Sequence, residues 1–366
     1  LPRRIQRRAV EAAVSAIETK PTDPLAFDFG LDFKPASARI AGERDQRHKQ
    51  ATRLLPYHIG FFDDYLRGIV PHDLMLIGAD SGVGKTDAVT EIAERTAADR
   101  RNVYMFALEA EPLEIERRIK FRRIARTAID RNHSVVRDLN YPDWYLGRLS
   151  TRLGQLEAEA DEYMASLTNL HTYYKGKDFT GADIHRLCLA VQDRADLIII
   201  DHLHYVDIDE TKNENSEYKR LVKTIRDTVL TTGTPIALVV HLRKGEGVRE
   251  PLVPSLERIH GSSDIAKIAT AAVMISRAPF AGREWHLAPT FLSVPKWRLG
   301  GAARHVALCN YDLRTRSYLD KYTLGRLESG GRDWTEIHPE SRPPWARRFE
   351  ASGCELTTVA APARKR

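Results

Sequence analysis

Residues 74–86 read LMLIGADSGVGKT: four apolar residues, a glycine-rich turn and a Gly-Lys-Thr that opens onto the helical pattern of 87–100. Strand, tight turn and helix start, in that order, make a phosphate cradle. Glycines let successive backbone N–H groups turn inward, and the new helix adds the positive end of its dipole. Under the pattern GxxxxGK[ST], Ser81, Gly82, Val83 and Gly84 form the cradle, Lys85 reaches the β and γ phosphates of ATP, and Thr86 ligates Mg2+. Ala79 stands where the strict pattern has glycine, but it only begins the turn, where so small a residue is tolerated.

Outward from this segment, apolar runs at 103–108, 197–200, 235–240 and 272–275 alternate with longer amphipathic stretches, and 291–294 and 305–309 offer two more strands. That alternation predicts an α/β fold with a mostly parallel sheet flanked by helices. An Arg- and Glu-rich helical insert occupies 112–167. At the start, 3–19 carry Arg3, Arg4, Arg7 and Arg8 before an Ala/Val/Ile stripe, a short basic amphipathic helix, and the prolines and polar run of 21–50 read as a linker. The expected organisation is therefore a basic helix and linker over 1–50, a main domain over 51–325 and an extended or mobile tail over 326–366.

With 42% hydrophobic and 29% charged residues in 366, neither a mostly disordered chain nor a multi-span membrane protein fits. The net charge of +6 suits a polyanionic partner. Cys188, Cys309 and Cys354 lie far apart with no CxxC pair, which signals neither a disulfide framework nor a zinc knuckle and points to a reducing, cytoplasmic setting. Residues 1–20 lack the apolar core of a secretory signal, and Leu1 in place of Met points to a trimmed start.

A magnesium-orienting carboxylate is expected at the end of a neighbouring buried strand, and Asp201 closes the apolar run 197–200. Hydrolysis also needs a group that deprotonates water in line with the γ phosphate. Glu109, at the end of the run 103–108, is the candidate base, although it also fits the acidic start of the next helix.

Taken in order, these elements resemble the RecA-like motor domain of DnaB-type hexameric replicative helicases, in the compact phage or plasmid form, over about 56–324. The approach YHIGFFDDYLRGIVPHDL, the loop IGADSGVGKT, Phe106-Ala-Leu-Glu109 and Ile200-Asp-His-Leu-His204 are each similar to that family's segments. The resemblance implies that Glu109 is the catalytic glutamate. His204 stands where the family commonly has Gln. The strand ending at His241 is similar to the one bearing the γ-phosphate sensor, usually Gln, and an imidazole there can still bond a phosphate oxygen. The stretch after it, with Lys244, Arg249, Arg258 and Gly261, looks like the central-channel loop, where glycines and cations suit gripping a DNA backbone. Pro295-Lys-Trp-Arg298 resembles the Lys-x-Arg pair that reaches into the neighbouring subunit's nucleotide. On an extended strand Lys296 and Arg298 point the same way and Trp297 the other.

The resemblance implies an ATP-hydrolysing homo-hexamer that moves on single-stranded DNA and unwinds duplex, with a primase and a helicase loader as partners and no membrane. The alternative is a RecA-like DNA-dependent ATPase acting as a filament, recombination mediator or switch. A third reading, a metal-dependent hydrolase, would rest on His202, His204 and His241 with Asp201.

Overall fold

The computed structural model describes residues 35–360 except 81, 177, 210, 244–250, 261, 262, 281, 283 and 353–357. The expected basic helix over 3–19 therefore lies outside the described residues. The chain falls into two units, Leu1–Thr52 and Arg53–Arg366. In the first, the expected linker instead contains two short helices, α1 (Ala36–Ile40) and α2 (Glu43–Ala51), neither with a buried residue. With no apolar stripe there is no periodicity to read. What favours helix in α2 is intrinsic propensity and the Glu43–Arg47 pair one turn apart.

The second unit begins with α3 (Gly60–Leu66) and β1 (Leu74–Ala79). There follow α4 (Lys85–Ala98), β2 (Val103–Ala107), α5 (Glu114–Asp130), α6 (Tyr141–Tyr145), α7 (Ser150–Ser166) and β3 (Leu170–Tyr174). Then come α8 (Gly181–Val191), β4 (Leu197–Asp201), α9 (Glu214–Thr232), β5 (Ile236–His241), α10 (Ser263–Ile268) and β6 (Ala271–Arg277). The last strands are β7 (Leu287–Trp297), β8 (Val306–Asp312), β9 (Ser317–Tyr318), β10 (Thr323–Glu328), β11 (Asp333–Glu336) and β12 (Thr358–Ala360).

Among the described residues one sheet runs in the order β12-β11-β10-β8-β7-β6-β1-β5-β4-β2-β3, with β9 paired to β8. The half from β6 to β3 is parallel, and β7 onward is antiparallel. All of β1 is buried, Met75 and Ile77 in one core cluster and Leu74 and Leu76 in the other. Helices thus cover both faces, which is why the parallel strands read as unbroken apolar runs. The insert forms its own small core, in which Phe121, Ile124 and Ala125 of α5 meet Leu153 and Leu156 of α7.

The sequence reading passed over one strand, and it read the tail as lacking the strands that it has. Leu170–Tyr174 alternates exposed and half-buried residues, too weak a signal to have been singled out, yet it closes the parallel edge. The tail does not trail away: β11 pairs with β10, and β12 with β11. Its anchor is Trp334, fully buried, whose indole N–H donates to the Val306 carbonyl at 3.0 Å. Gly325 makes room for that ring, since a Cβ there would come within 2.1 Å of it.

A buried arginine ties the insert to the phosphate-loop helix. Arg122 of α5 is fully buried and donates to Glu94 at 2.7 Å, to the Asp87 carbonyl at 3.1 Å and to the Arg316 carbonyl at 3.0 Å. Arg122→Ala should cost about 3–5 kcal/mol by stranding a buried carboxylate. Removing Glu94 as well, in Arg122→Met with Glu94→Leu, should recover most of that loss in urea unfolding. His58 supplies a pH test. Burial first, then Arg95 and Arg126, lower its pKa from 6.5 to about 4. Its stabilising contribution is present above pH 6.5 and is lost as pH falls through about 4, so the melting temperature should drop across that window. His58→Asn, which also suits the left-handed φ of 57°, should remove about 3 kcal/mol of that dependence.

Candidate functional site

Parallel register brings the ends of four segments to one edge. Ala79, last in β1, pairs with His241, last in β5, and Ala107, last in β2, pairs with Asp201, last in β4. The Leu108 N–H donates to the Asp201 carbonyl at 2.7 Å, so Glu109 follows at the same edge. There the chain from β1 turns into α4 through Gly82 (φ 76°) and Gly84 (φ 93°), left-handed positions that glycine adopts without strain. Ser81 lies outside the described residues. Val83 is buried, and its carbonyl accepts from the Tyr318 hydroxyl at 2.8 Å, so the β8–β9 hairpin steadies the turn.

Lys85 is only 8% exposed, and burial lowers its pKa. Its Nζ sits 2.8 Å from His241 Nδ1. Asp201 is buried and accepts a hydrogen bond from Thr86. Burial, then the nearby Glu109 charge, push its pKa up to about 6, while Thr86 and Lys85 pull it down. Its Oδ1 is buried without a partner among the described residues. An orphaned carboxylate oxygen beside a threonine hydroxyl, both hard oxygen donors, fits Mg2+ held with its waters.

Glu109 and His241 are joined by a residue that the sequence reading weighed only as a metal ligand. His202 Nε2 lies 3.0 Å from Glu109 Oε2 and 2.7 Å from His241 Nε2. Burial and the neighbouring imidazoles lower the His202 pKa to about 2, and burial with Lys85 lowers that of His241 to about 4, so both rings are neutral near pH 7. Glu109, His202 and His241 thus converge three ligand atoms within 4.8 Å, a different set from the expected His202, His204, His241 and Asp201. Their outer shell is wrong for a transition metal. Ligating histidines donate from the far nitrogen to an acceptor. Here the far nitrogens face donors, the Lys85 ammonium and the His204 N–H.

The cleft as a whole is about 570 Å3, and besides Asp87, next to Thr86, its remaining lining comes from residues distant in sequence, among them Arg118, Arg277, Tyr311 and Arg316. Asp87 accepts from Arg118 at 2.9 Å, Arg316 at 2.8 and 3.0 Å, and the Tyr311 hydroxyl at 2.6 Å. Burial alone would raise its pKa, but Arg316, Arg118 and Arg122 together hold it below the usual range. The Arg277 guanidinium lies 5.9 Å from the Tyr311 ring centre, an aromatic and cationic wall suited to the face of a base.

The remaining candidates lie elsewhere. Lys296 pairs in register with Ala272 and Trp297 with Ala271, which pairs with Met75 at the start of β1. The Arg298 N–H donates to the Thr270 carbonyl. Lys296 and Arg298 therefore occupy the edge of the sheet opposite their own phosphate loop. Lys296 Nζ donates to the carbonyls of Ala266 and Lys267 at 2.7 and 2.8 Å, while Trp297 packs against Tyr65. Arg226 stands near enough that, after burial, the Arg298 charge is the next cause lowering its pKa. Arg258 folds back onto Asp80 of the phosphate turn at 3.2 Å and the Arg243 carbonyl at 2.8 Å. Lys244, Arg249 and Gly261 lie outside the described residues.

No helix among the described residues is long and apolar enough to cross a membrane. No curated protein matches the chain. The fold is similar to the structure of a DnaB-like replicative helicase and its interactions with primase, with a TM-score of 0.63 and 12% identity over 86% of this chain and 76% of that one. It is also similar to a second solved structure, an isolated ATPase domain, with a TM-score of 0.66 and 12% identity over 79% of this chain and 99% of that one. Residues 55–309 match the model of the DnaB-like helicase C-terminal domain, so the chain belongs to the DnaB-like helicase family and carries its RecA-like ATPase fold.

Proposed function

We propose that the protein is a ring-forming DNA helicase motor, most simply a hexamer, in which each ATP is held by one subunit and completed by the next. The observation that carries this reading is the separation of Lys296 and Arg298 from their own phosphate loop by the length of the strands. Cations that cannot reach the nucleotide of their own chain are free to meet the nucleotide of a neighbour. Arg226 beside them strengthens the anion-seeking character of that edge.

In this reading the backbone from Ser81 to Gly84 cradles the phosphates, and Lys85 leaves His241 for the β and γ phosphates. Thr86 and Asp201 would hold Mg2+, which when bound neutralises phosphate charge. Glu109 takes the proton of the attacking water, and His241 bonds the γ phosphate. Lys296 and Arg298 of the adjacent subunit offset the charge that spreads over the transferred phosphoryl group. The loop bearing Lys244, Arg249 and Gly261 grips single-stranded DNA, with Arg258 acting from its base. A primase and a loader are the partners this reading assigns. The neighbour solved with its interactions with primase supports the first of these by analogy.

Lys85→Ala should abolish ATP turnover, because the cradle loses its buried cation, and a phosphate-release assay checks it. Arg298→Ala should bind nucleotide nearly as well as the native protein yet hydrolyse it roughly 10³-fold more slowly. Mixing it with Glu109→Ala protein should restore part of the activity at mixed boundaries. Absence of rescue, or open filaments instead of closed rings in electron micrographs with ATP, would favour the non-unwinding filament ATPase.

A further inference from the structure

Four side chains from four separate segments form a row: Lys85, His241, His202 and Glu109, with successive contacts of 2.8, 2.7 and 3.0 Å. Counting protons along the row exposes a conflict. A neutral imidazole carries one N–H. The Lys85 ammonium only donates, so His241 Nδ1 must accept and the His241 proton must sit on Nε2. That proton points at His202 Nε2, and a contact of 2.7 Å has room for one hydrogen. His202 must then accept there and carry its own proton on Nδ1. Yet His202 Nδ1 faces the His204 N–H at 3.3 Å and its Nε2 faces the Glu109 carboxylate at 3.0 Å, and both contacts ask for the opposite tautomer. The charge-assisted Lys85 contact is shorter than either, and an ammonium has no lone pair with which to accept, so it wins while Lys85 stays where it is.

We infer that His202 is a positioning residue for Glu109, and that its tautomer is set by whether Lys85 is parked on His241 or drawn onto a triphosphate. The inference rests on the ATPase reading above. Without nucleotide, His202 thus presents a lone pair to Glu109 Oε2 at 3.0 Å, a contact with no hydrogen between the two atoms, so the half-exposed carboxylate is not held. When a triphosphate draws Lys85 away, His241 Nδ1 meets a phosphate acceptor in place of a donor. Its proton then moves to Nδ1. His202 returns to the tautomer its His204 contact favours, and its Nε2–H holds Glu109. Each ring stays neutral with one N–H throughout, the protons crossing between ring nitrogens through water, so the pair neither takes up nor releases a proton. A bistable hydrogen-bonded row thus readies the base only when the phosphate site is filled.

Nitrogen-15 spectra of histidine-labelled full-length protein distinguish the two tautomers, with His202 assigned by the signal lost in His202→Phe. His202 should be Nδ1–H in the nucleotide-free protein and Nε2–H with Mg2+ and a non-hydrolysable ATP analogue. Lys85→Ala protein should show the Nε2–H form without any nucleotide. His202→Phe should lower kcat about 10- to 100-fold while KM for ATP stays within about twofold, since orientation and not binding is lost. One tautomer in all three samples, or an unchanged kcat in His202→Phe, would overturn the inference. Glu109→Gln and the native protein separate the levels: inactive Glu109→Gln beside a fully active His202→Phe defeats this inference alone, active Glu109→Gln defeats the assignment of Glu109 as base and this inference with it, and a native protein that turns over no ATP defeats the ATPase reading.

Discussion

The parallel hydrogen-bond register of β1, β5, β4 and β2 is the constraint on which the site depends. Pairing Ala79 with His241 and Ala107 with Asp201 fixes four loop origins on one edge before any side chain is placed. A slip of one residue would turn each of these side chains to the other face of the sheet. The register resists slipping because both faces are buried, so every displaced apolar residue would have to find a new partner in a close-packed core.

Around that edge the protein gathers charges that would be costly alone. Asp87 and Glu94 are almost fully buried, and so is Arg122. Each survives because the others compensate it: Asp87 by three guanidiniums and a tyrosine hydroxyl, Glu94 by Arg122 and the Tyr163 hydroxyl. The network spans α4, α5 and the β8–β9 hairpin. Movement of the insert or the hairpin would therefore be felt at the first turn of the phosphate-loop helix.

What could be read from sequence was local. The phosphate turn, the buried strands and the acids closing them announce themselves within a few residues, so Lys85, Thr86, Asp201 and Glu109 could be named from spacing. Arg118 and Arg316 could not, because they reach Asp87 from 31 and 229 positions away and each looks like an ordinary surface arginine in its own segment. His202 was visible but ambiguous. As a metal ligand it asked for an outer acceptor, and only the structure reveals that donors stand behind both imidazoles. The tail was misjudged because average composition hides one well-placed residue: Trp334, dropped over Gly325, anchors β11 against β10, and β12 pairs with β11 in turn.

The position of Lys296 and Arg298 gives the sheet a mechanical meaning in the proposed ring. These cations and the phosphate loop lie at opposite ends of strands that hydrogen-bond directly, β7 to β6 and β6 to β1. A sheet packed on both faces transmits displacement with little internal yielding. A pull on Arg298 by a neighbour's triphosphate would therefore move β1 and its phosphate turn as one body. Communication between successive nucleotides then needs no special pathway through the subunit. It follows from building the trigger for one site and the cradle of the next into a single stiff element.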